Sequence, residues 1–304
     1  MSRKPSNTIK KTSEDLILEG VIIALMTFML VITAYPFYYV IIMSLNDGID
    51  AARGGIYLWP REFTIDNYKR FLSDPSWKQA MIVSVAKTGV GAVLTVFFTC
   101  LIAYGLTPRD LLFKRFYNVV LLFFMYFSSG LIPYYLVLRE LRLLNTFAVY
   151  VIPTMFSIYY CLLARSFFST MPDELFESAK LDGAGQVRIY LQIVLPLSKP
   201  LLATLFLFAA VGQWNSWSDT AFFAAGNRDL RSLAYMMRDV IMRNQISSGP
   251  GGDMASQIAQ QYRRTTGQSV QFAAMVIAVL PIMIVYPFLQ KYFVQGIMIG
   301  AVKG

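Results

Sequence analysis

The sequence predicts an all-α integral membrane protein. Three observations carry this. The chain is 56% hydrophobic and only 15% charged, where a soluble domain carries about 25% charge. Six apolar runs reach the ~20 residues that a bilayer-spanning helix needs. The basic residues of the short connections fall mostly on one side of those runs, as the positive-inside rule requires.

The runs cover residues 18–45, 81–106, 116–138, 146–168, 200–223 and 270–290. The first follows a basic, polar start, "MSRKPSNTIKK", but it is too long for a signal-peptide core and has no small-residue cleavage site, so it reads as a retained span. The second contains Lys87 near one end, where the stem can lie along the helix while the amine reaches the head groups. Pro133, Pro153, Pro281 and Pro287 lie in or near spans, where neighbouring helices can satisfy the freed carbonyls. Six spans put both termini on one side. Loop 107–115 carries Arg109, Lys114 and Arg115, against Arg139 and Arg142 in loop 139–145. Together with the basic N-terminus this places tail 1–17, loop 107–115, loop 171–199 and tail 291–304 in the cytoplasm. The membrane domain is then 18–290, with loops 46–79 and 224–269 outside.

Composition narrows the chemistry. There is no histidine, which removes the commonest general base and metal ligand. Cys100 and Cys161 sit in apolar runs without zinc spacing and read as two buried thiols. No metal site and no catalytic residue is expected. Net charge is +9, but the basic residues form no stripe or basic helix. Anionic lipid head groups or an acidic solute suit that distribution, and nucleic acid does not.

The connection 171–199 is too long and too ordered for a simple turn. Pro172 suits a first helical position, and Asp173 and Glu174 favour the first turn of a helix running to about Leu181. Asp182 and Gly183 end it, with Gly183 in the left-handed conformation. A second helix is expected from about Gly185 to Leu195, with Val187, Tyr190, Leu191 and Val194 on one face. Pro196 and Pro200 then break the backbone. A helix pair of this kind either rests on the membrane surface or docks a partner.

Glu177-Ser178-Ala179, then Gly183, then Ile193-Val194-Leu195-Pro196 resembles the EAA loop of ABC importer permeases. Asp182 and Ala184 match the usual surroundings of the glycine, and Ser178 replaces the first alanine. "FTIDNYKRFL" (63–72) and "QWNSWSD" (213–219) are similar to segments of carbohydrate-uptake permeases of the maltose-transporter type. The tail "YPFLQKYFVQGIMIGAVKG" (286–304) resembles a subgroup for oligosaccharides and polysaccharide fragments, including acidic alginate or pectin fragments. The resemblance implies a type I ABC importer permease fold whose loop 171–199 is a cytoplasmic coupling helix pair, in the bacterial inner membrane. It implies as partners two ATPase subunits, a second and non-identical permease, and an external solute-binding protein. No G-x-x-x-x-G-K-[ST] phosphate loop occurs, so ATP and Mg are expected on the partner ATPases and no cofactor on this chain.

For the solute path, Gln213, Trp214, Asn215 and Trp217 are candidates. Trp214 and Trp217, three apart, share one helix face. They read either as an interfacial aromatic belt or as a stacking surface for sugar rings. Loop 226–269 holds six arginines, three aspartates and no lysine. Its Arg263, Arg264, Gly249, Gly251 and Gly252 are candidates for contact with the binding protein, or the arginines meet lipid phosphates. The rival to an ABC permease is an ion-coupled secondary transporter. Against it stand the scarcity of carboxylates in the spans and the lack of an internal repeat.

Overall fold

A computed structural model describes residues 12–108, 111–246, 269–285 and 287. Among these, every regular element is helical apart from one isolated bridge, Asn46 to Phe63. Two compact units share the chain, one of residues 1–69 and 253–276, the other of 70–252 and 277–304.

The first unit begins with α1, Ser13–Ser44, whose start is held by the Thr12 N–H donating to Asp15 Oδ2 at 2.9 Å. Residues 13–38 are exposed on every side. A helix apolar all round belongs in a bilayer or against a partner, and 32 residues span about 48 Å at helical rise. Beyond it, Asp47 caps the short α2, Gly48–Ala52, by accepting from the Ile49 N–H at 2.9 Å. Asn67 then ties the segment down from the start of α3, Asp66–Ser73, donating to the carbonyls of Ser44 and Asn46. Arg61 and Asn46 both donate to the buried carboxylate of Asp50. The Asn46 hydrogen bond, with Arg61, holds that carboxyl below the usual range. The polar stretch 46–69 is therefore an ordered cap and not a loose loop.

The second unit is organised on α4, Pro75–Gly105. Pro75 sits at the first position, where its missing N–H is harmless, and Asp74 caps the Ser76 N–H at 2.8 Å. This start is six residues earlier than the apolar run suggests, because the cap and proline admit a polar first turn. The buried face carries the row Ala80, Ser84, Lys87, Gly91, Thr95, Thr99 and Ala103, with Trp77, Val83, Ala92 and Cys100 also buried. The row is one helical stripe of small residues with a single long side chain in it, and small residues let backbones approach closely in lipid.

The third run is broken. It is two helices, α5 (Lys114–Tyr126) and α6 (Leu131–Glu140), bent by 112°. Ser128 and Ser129 lead to Gly130 at φ +81°, a backbone that other residues rarely adopt. The fourth run is α7 (Ala148–Val151), a 3₁₀ turn at Ile152–Thr154, and α8 (Ile158–Phe168), bent by 45°. Pro153 and the Ser157 N-cap account for the break. Next come α9 (Asp173–Leu181), α10 (Gln186–Ile189) and α11 (Leu195–Leu197). The fifth run is α12, Lys199–Asn215, which stops well short of residue 223. A π turn at Thr220–Ala224 follows, then a 3₁₀ turn at Arg228–Leu230 and α13, Leu233–Ile246. Last is α14, Ser269–Val285. Among the described residues, α1 and α4 can each cross a membrane by length and composition, and up to five spans result when each bent pair counts as one.

Candidate functional site

Two places in the second unit combine buried packing with exposed or hollow surface. The first is the helix pair at 171–199. Pro172 is the N-cap and not the first helical residue, with Asp173 and Glu174 in the first turn. The helix ends as its glycine requires. Gly183 has φ +75°, the Ala184 N–H donates to the Ala179 carbonyl at 2.9 Å, and the Gly183 N–H to that of Lys180 at 3.0 Å. This is a Schellman cap, completed by apolar contact of Ala179 and Ala184 with the same core.

The second helix differs from a regular one. After α10, residues Tyr190–Val194 form a π turn in which the Leu195 N–H donates to the Tyr190 carbonyl. Pro196 explains it: the ring would clash with the carbonyl four residues back, and a wider turn relieves this. The chain stays helical through Pro196, and the 83° bend into α12 falls at Ser198. The buried face also differs from the expected one. Ile189, Tyr190 and Val194 are buried, whereas Val187 and Leu191, expected beside them, are exposed.

The buried side of the pair forms one core with the membrane helices. Ala179, Ile189, Tyr190 and Val194 pack with Cys100 and Ala103 of α4, Cys161, Ala164 and Phe168 of α8, and Leu205 of α12. The two cysteines are free thiols in that core. Tyr190 lies against Tyr104 at 5.3 Å between ring centres, and Tyr104 Oη donates to Gln186 Oε1 at 2.8 Å. Fully burying each aliphatic side chain contributes about 1.5–3 kcal/mol, so the pair is firmly seated. Its other side is open. Glu177, Ser178, Asp182, Gly183 and Pro196 are exposed, Ile193 and Leu195 half-buried, and Leu181 is 88% and Val187 70% exposed. A Cβ at Gly183 would meet nothing within 4 Å.

The second place is a cavity of about 390 Å³ between α4, α7, α8 and α12. Tyr134, Tyr150, Tyr160, Phe208 and Phe223 give it aromatic walls, and Gln213, Ser216 and Asp219 are among its polar groups. Gln213 is fixed: its Nε2 donates to the Tyr150 carbonyl at 3.1 Å and to Thr154 Oγ1 at 2.7 Å. Gly91 makes this fit, since a Cβ there would lie 2.9 Å from Gln213 Nε2.

Beside the cavity lies a feature the sequence reading missed. Lys87 does not reach the head groups. It is 0% exposed and pairs with Asp219 at 2.8 Å, also donating to the Ser216 carbonyl at 2.8 Å. Its amine lies 5.0 Å from the centre of the Tyr150 ring. Tyr150 in turn donates to the Leu230 carbonyl at 2.5 Å and meets Thr220 Oγ1 at 3.0 Å. The visible warning was a lysine in an apolar run with an aspartate in "WNSWSD". Intramembrane ionisable groups almost always pair or face a polar interior.

The other candidates are placed differently from expectation. Because α12 ends at Asn215 and Ser216 is extended, Trp214 and Trp217 share no helix face. Trp214 is buried and donates from Nε1 to the Ala278 carbonyl at 2.9 Å. Asn215 is exposed. Trp217 lies under Arg238, whose Cζ is 3.1 Å from its ring centre. Of these four residues only Gln213 lines the cavity. Gly249, Gly251, Gly252, Arg263 and Arg264 lie outside the described residues, as do tails 1–11 and 291–304.

A family model described as "binding-protein-dependent transport system inner membrane component" matches residues 11–299. The chain belongs to that family. This permease is 36% identical to Protein LplC of Bacillus subtilis (strain 168), over 90% of both chains. It is 34% identical to the polygalacturonan/rhamnogalacturonan transport system permease protein YtcP of the same organism, over 90% of this chain and 93% of that one. Its structure matches a chain from the crystal structure of a bacterial ABC transporter involved in the import of the acidic polysaccharide alginate. The TM-score is 0.81 and the identity 26%, over 94% of the permease and all of that chain. The permease therefore has the type I ABC importer fold. The family is one of transport components and not of enzymes, and the ion-coupled alternative is not favoured.

Removing Lys87 should be costly for a specific reason. Lys87→Met leaves a largely buried carboxylate without its cation, a loss of about 3–5 kcal/mol for a broken buried pair, at the lower end here because Asp219 is 18% exposed. The Lys87→Met/Asp219→Leu double variant should regain much of it. Thermal unfolding of the purified permease decides this; losses that simply add would mean the two groups are not coupled.

Proposed function

We propose that this permease is the transmembrane subunit of an ABC importer for oligosaccharides. A binding protein delivers solute outside, and two ATPase subunits, carrying the ATP and Mg, drive alternating access through loop 171–199. A second, non-identical permease completes the pathway in the bacterial inner membrane. The observation that carries this is the helix pair. One side is welded to α4, α8 and α12, and the other presents exposed Leu181, Val187 and Leu191 around a left-handed glycine. Exposed apolar side chains on a firmly seated element suit a protein partner.

The solute is an acidic oligosaccharide. Support comes from the similarity to a polygalacturonan permease and to the alginate importer, and from six arginines in loop 226–269, whose guanidinium forks match uronate carboxylates. The aromatic-walled cavity is the place in this subunit for a sugar ring to stack, with Gln213 and Ser216 offering hydrogen bonds.

Two variants at Gly183 separate backbone from surface. Gly183→Ala should cost only the strain of φ +75°, roughly 1 kcal/mol, and keep solute-stimulated ATPase activity. Gly183→Asp should abolish that stimulation, because its side chain projects from the open side. Equal activities in the two variants would remove the loop as the coupling element. For the solute, neutralising Arg263 and Arg264 together should reduce uptake of an acidic oligosaccharide more than that of a neutral one of equal length. The gap should narrow with added salt, which screens exposed charges; equal reductions would contradict the electrostatic reading.

A further inference from the structure

A second cavity, of about 360 Å³, lies where the end of α4, the start of α5 and the end of α8 meet. It belongs to the helix-pair end of the molecule, because Tyr104, near the end of α4, bonds Gln186. Lys114, Arg165, Asn118, Thr107, Ser166 and Ser169 supply its polar lining, and Leu122 and Leu162 its apolar wall. Among the described residues no carboxylate lines it.

Its donors are held in place but incompletely used. Lys114 caps the end of α4 by donating to the carbonyls of Thr107 at 3.0 Å and Pro108 at 2.8 Å, and an ammonium has three donors. Arg165 Nη1 donates to Asn118 Oδ1 at 2.7 Å, tying α8 to α5. The amide nitrogen of Asn118 remains a donor, and Arg165 Nε is buried with no acceptor. Just before Lys114, Leu112 is 78% and Phe113 75% exposed, with Phe113 in the left-handed conformation at φ +57°. Two bare apolar side chains beside a cationic hollow are what a bilayer interface accommodates.

We propose that this cavity binds a phosphate group, through Lys114 and Arg165, as the head group of an anionic phospholipid. The proposal rests on the reading of the chain as a membrane permease, with the helix-pair end cytoplasmic. A phosphodiester supplies acceptors for the amide nitrogen of Asn118 and for the donor that Lys114 has left. Leu122 and Leu162 then face its glycerol and acyl portion. Free phosphate offers the same acceptors without the apolar part.

The test uses the intact importer in phosphatidylcholine nanodiscs containing phosphatidylglycerol, with retained lipid counted by native mass spectrometry. Inorganic phosphate is titrated separately into discs of phosphatidylcholine alone. Wild type should retain phosphatidylglycerol, and Lys114→Gln/Arg165→Gln should weaken retention roughly ten-fold or more, the effect of losing one charge-assisted hydrogen bond. Ser166→Leu, which fills the exposed mouth and keeps both cations, should do the same without disturbing the helix ends. Phosphate binding that both variants remove would support the site with free phosphate as its ligand. Equal lipid retention in all three proteins, without variant-sensitive phosphate binding, would overturn the proposal. Solute-stimulated ATPase activity in the same discs reports separately on the permease reading, so failure of one does not imply failure of the other.

Discussion

The small-residue face of α4 is the constraint on which the second unit depends. Lipid tails are as apolar as leucine, so helices in a bilayer associate through close packing and hydrogen bonds instead of hydrophobic expulsion. Ala80, Ser84, Gly91, Thr95, Thr99 and Ala103 keep that face flat. Toward one end, Cys100 and Ala103 receive the helix pair. Toward the other, Lys87 reaches Asp219, and Gly91 leaves room for Gln213. Ala103 and Lys87 are sixteen residues apart in the sequence, about 24 Å along the helix. One rod therefore touches both the buried seat of the helix pair and the wall of the aromatic cavity.

Interiors this closely packed deform little and transmit displacement. The buried side of the helix pair contacts α4, α8 and α12 together, and the Tyr104 hydrogen bond and ring contact with Gln186 and Tyr190 fix its orientation. A force on the exposed side is thus delivered to three membrane helices at once. The weak points are the breaks: Gly130 between α5 and α6, Ser157 before α8, and Ser198 before α12. Such element ends are where a hinge absorbs backbone change.

How much of this was legible in the sequence depends on the range of the interaction. The turn at Gly183 was, because a left-handed glycine after Asp182 is a local demand of the backbone. The π turn at Tyr190–Val194 was not, since proline marks a disturbance without saying whether the helix breaks or widens. Lys87 is the clearest long-range case. Its partner lies 132 residues away in the chain, and near the end of an apolar run the head groups are the nearer apparent partner. The tryptophans of "QWNSWSD" carried an i, i+3 spacing, but it holds only while the helix lasts, and α12 ends between them. Hydropathy marked every apolar run; it could not show that the third is bent by 112° at the break before Leu131, because bending leaves composition unchanged.

The central claim is that the helix pair and the helices it contacts move as one body. It is tested most directly by electron–electron distance measurements between spin labels at Leu181 on α9 and Tyr159 on α8, both exposed, in the intact importer. The account predicts the same distance distribution without nucleotide and with ATP trapped, while a control pair elsewhere in the importer reports the change of state. A shift of several ångströms between Leu181 and Tyr159 on ATP binding would mean that the loop slides over the helices, and would contradict the account.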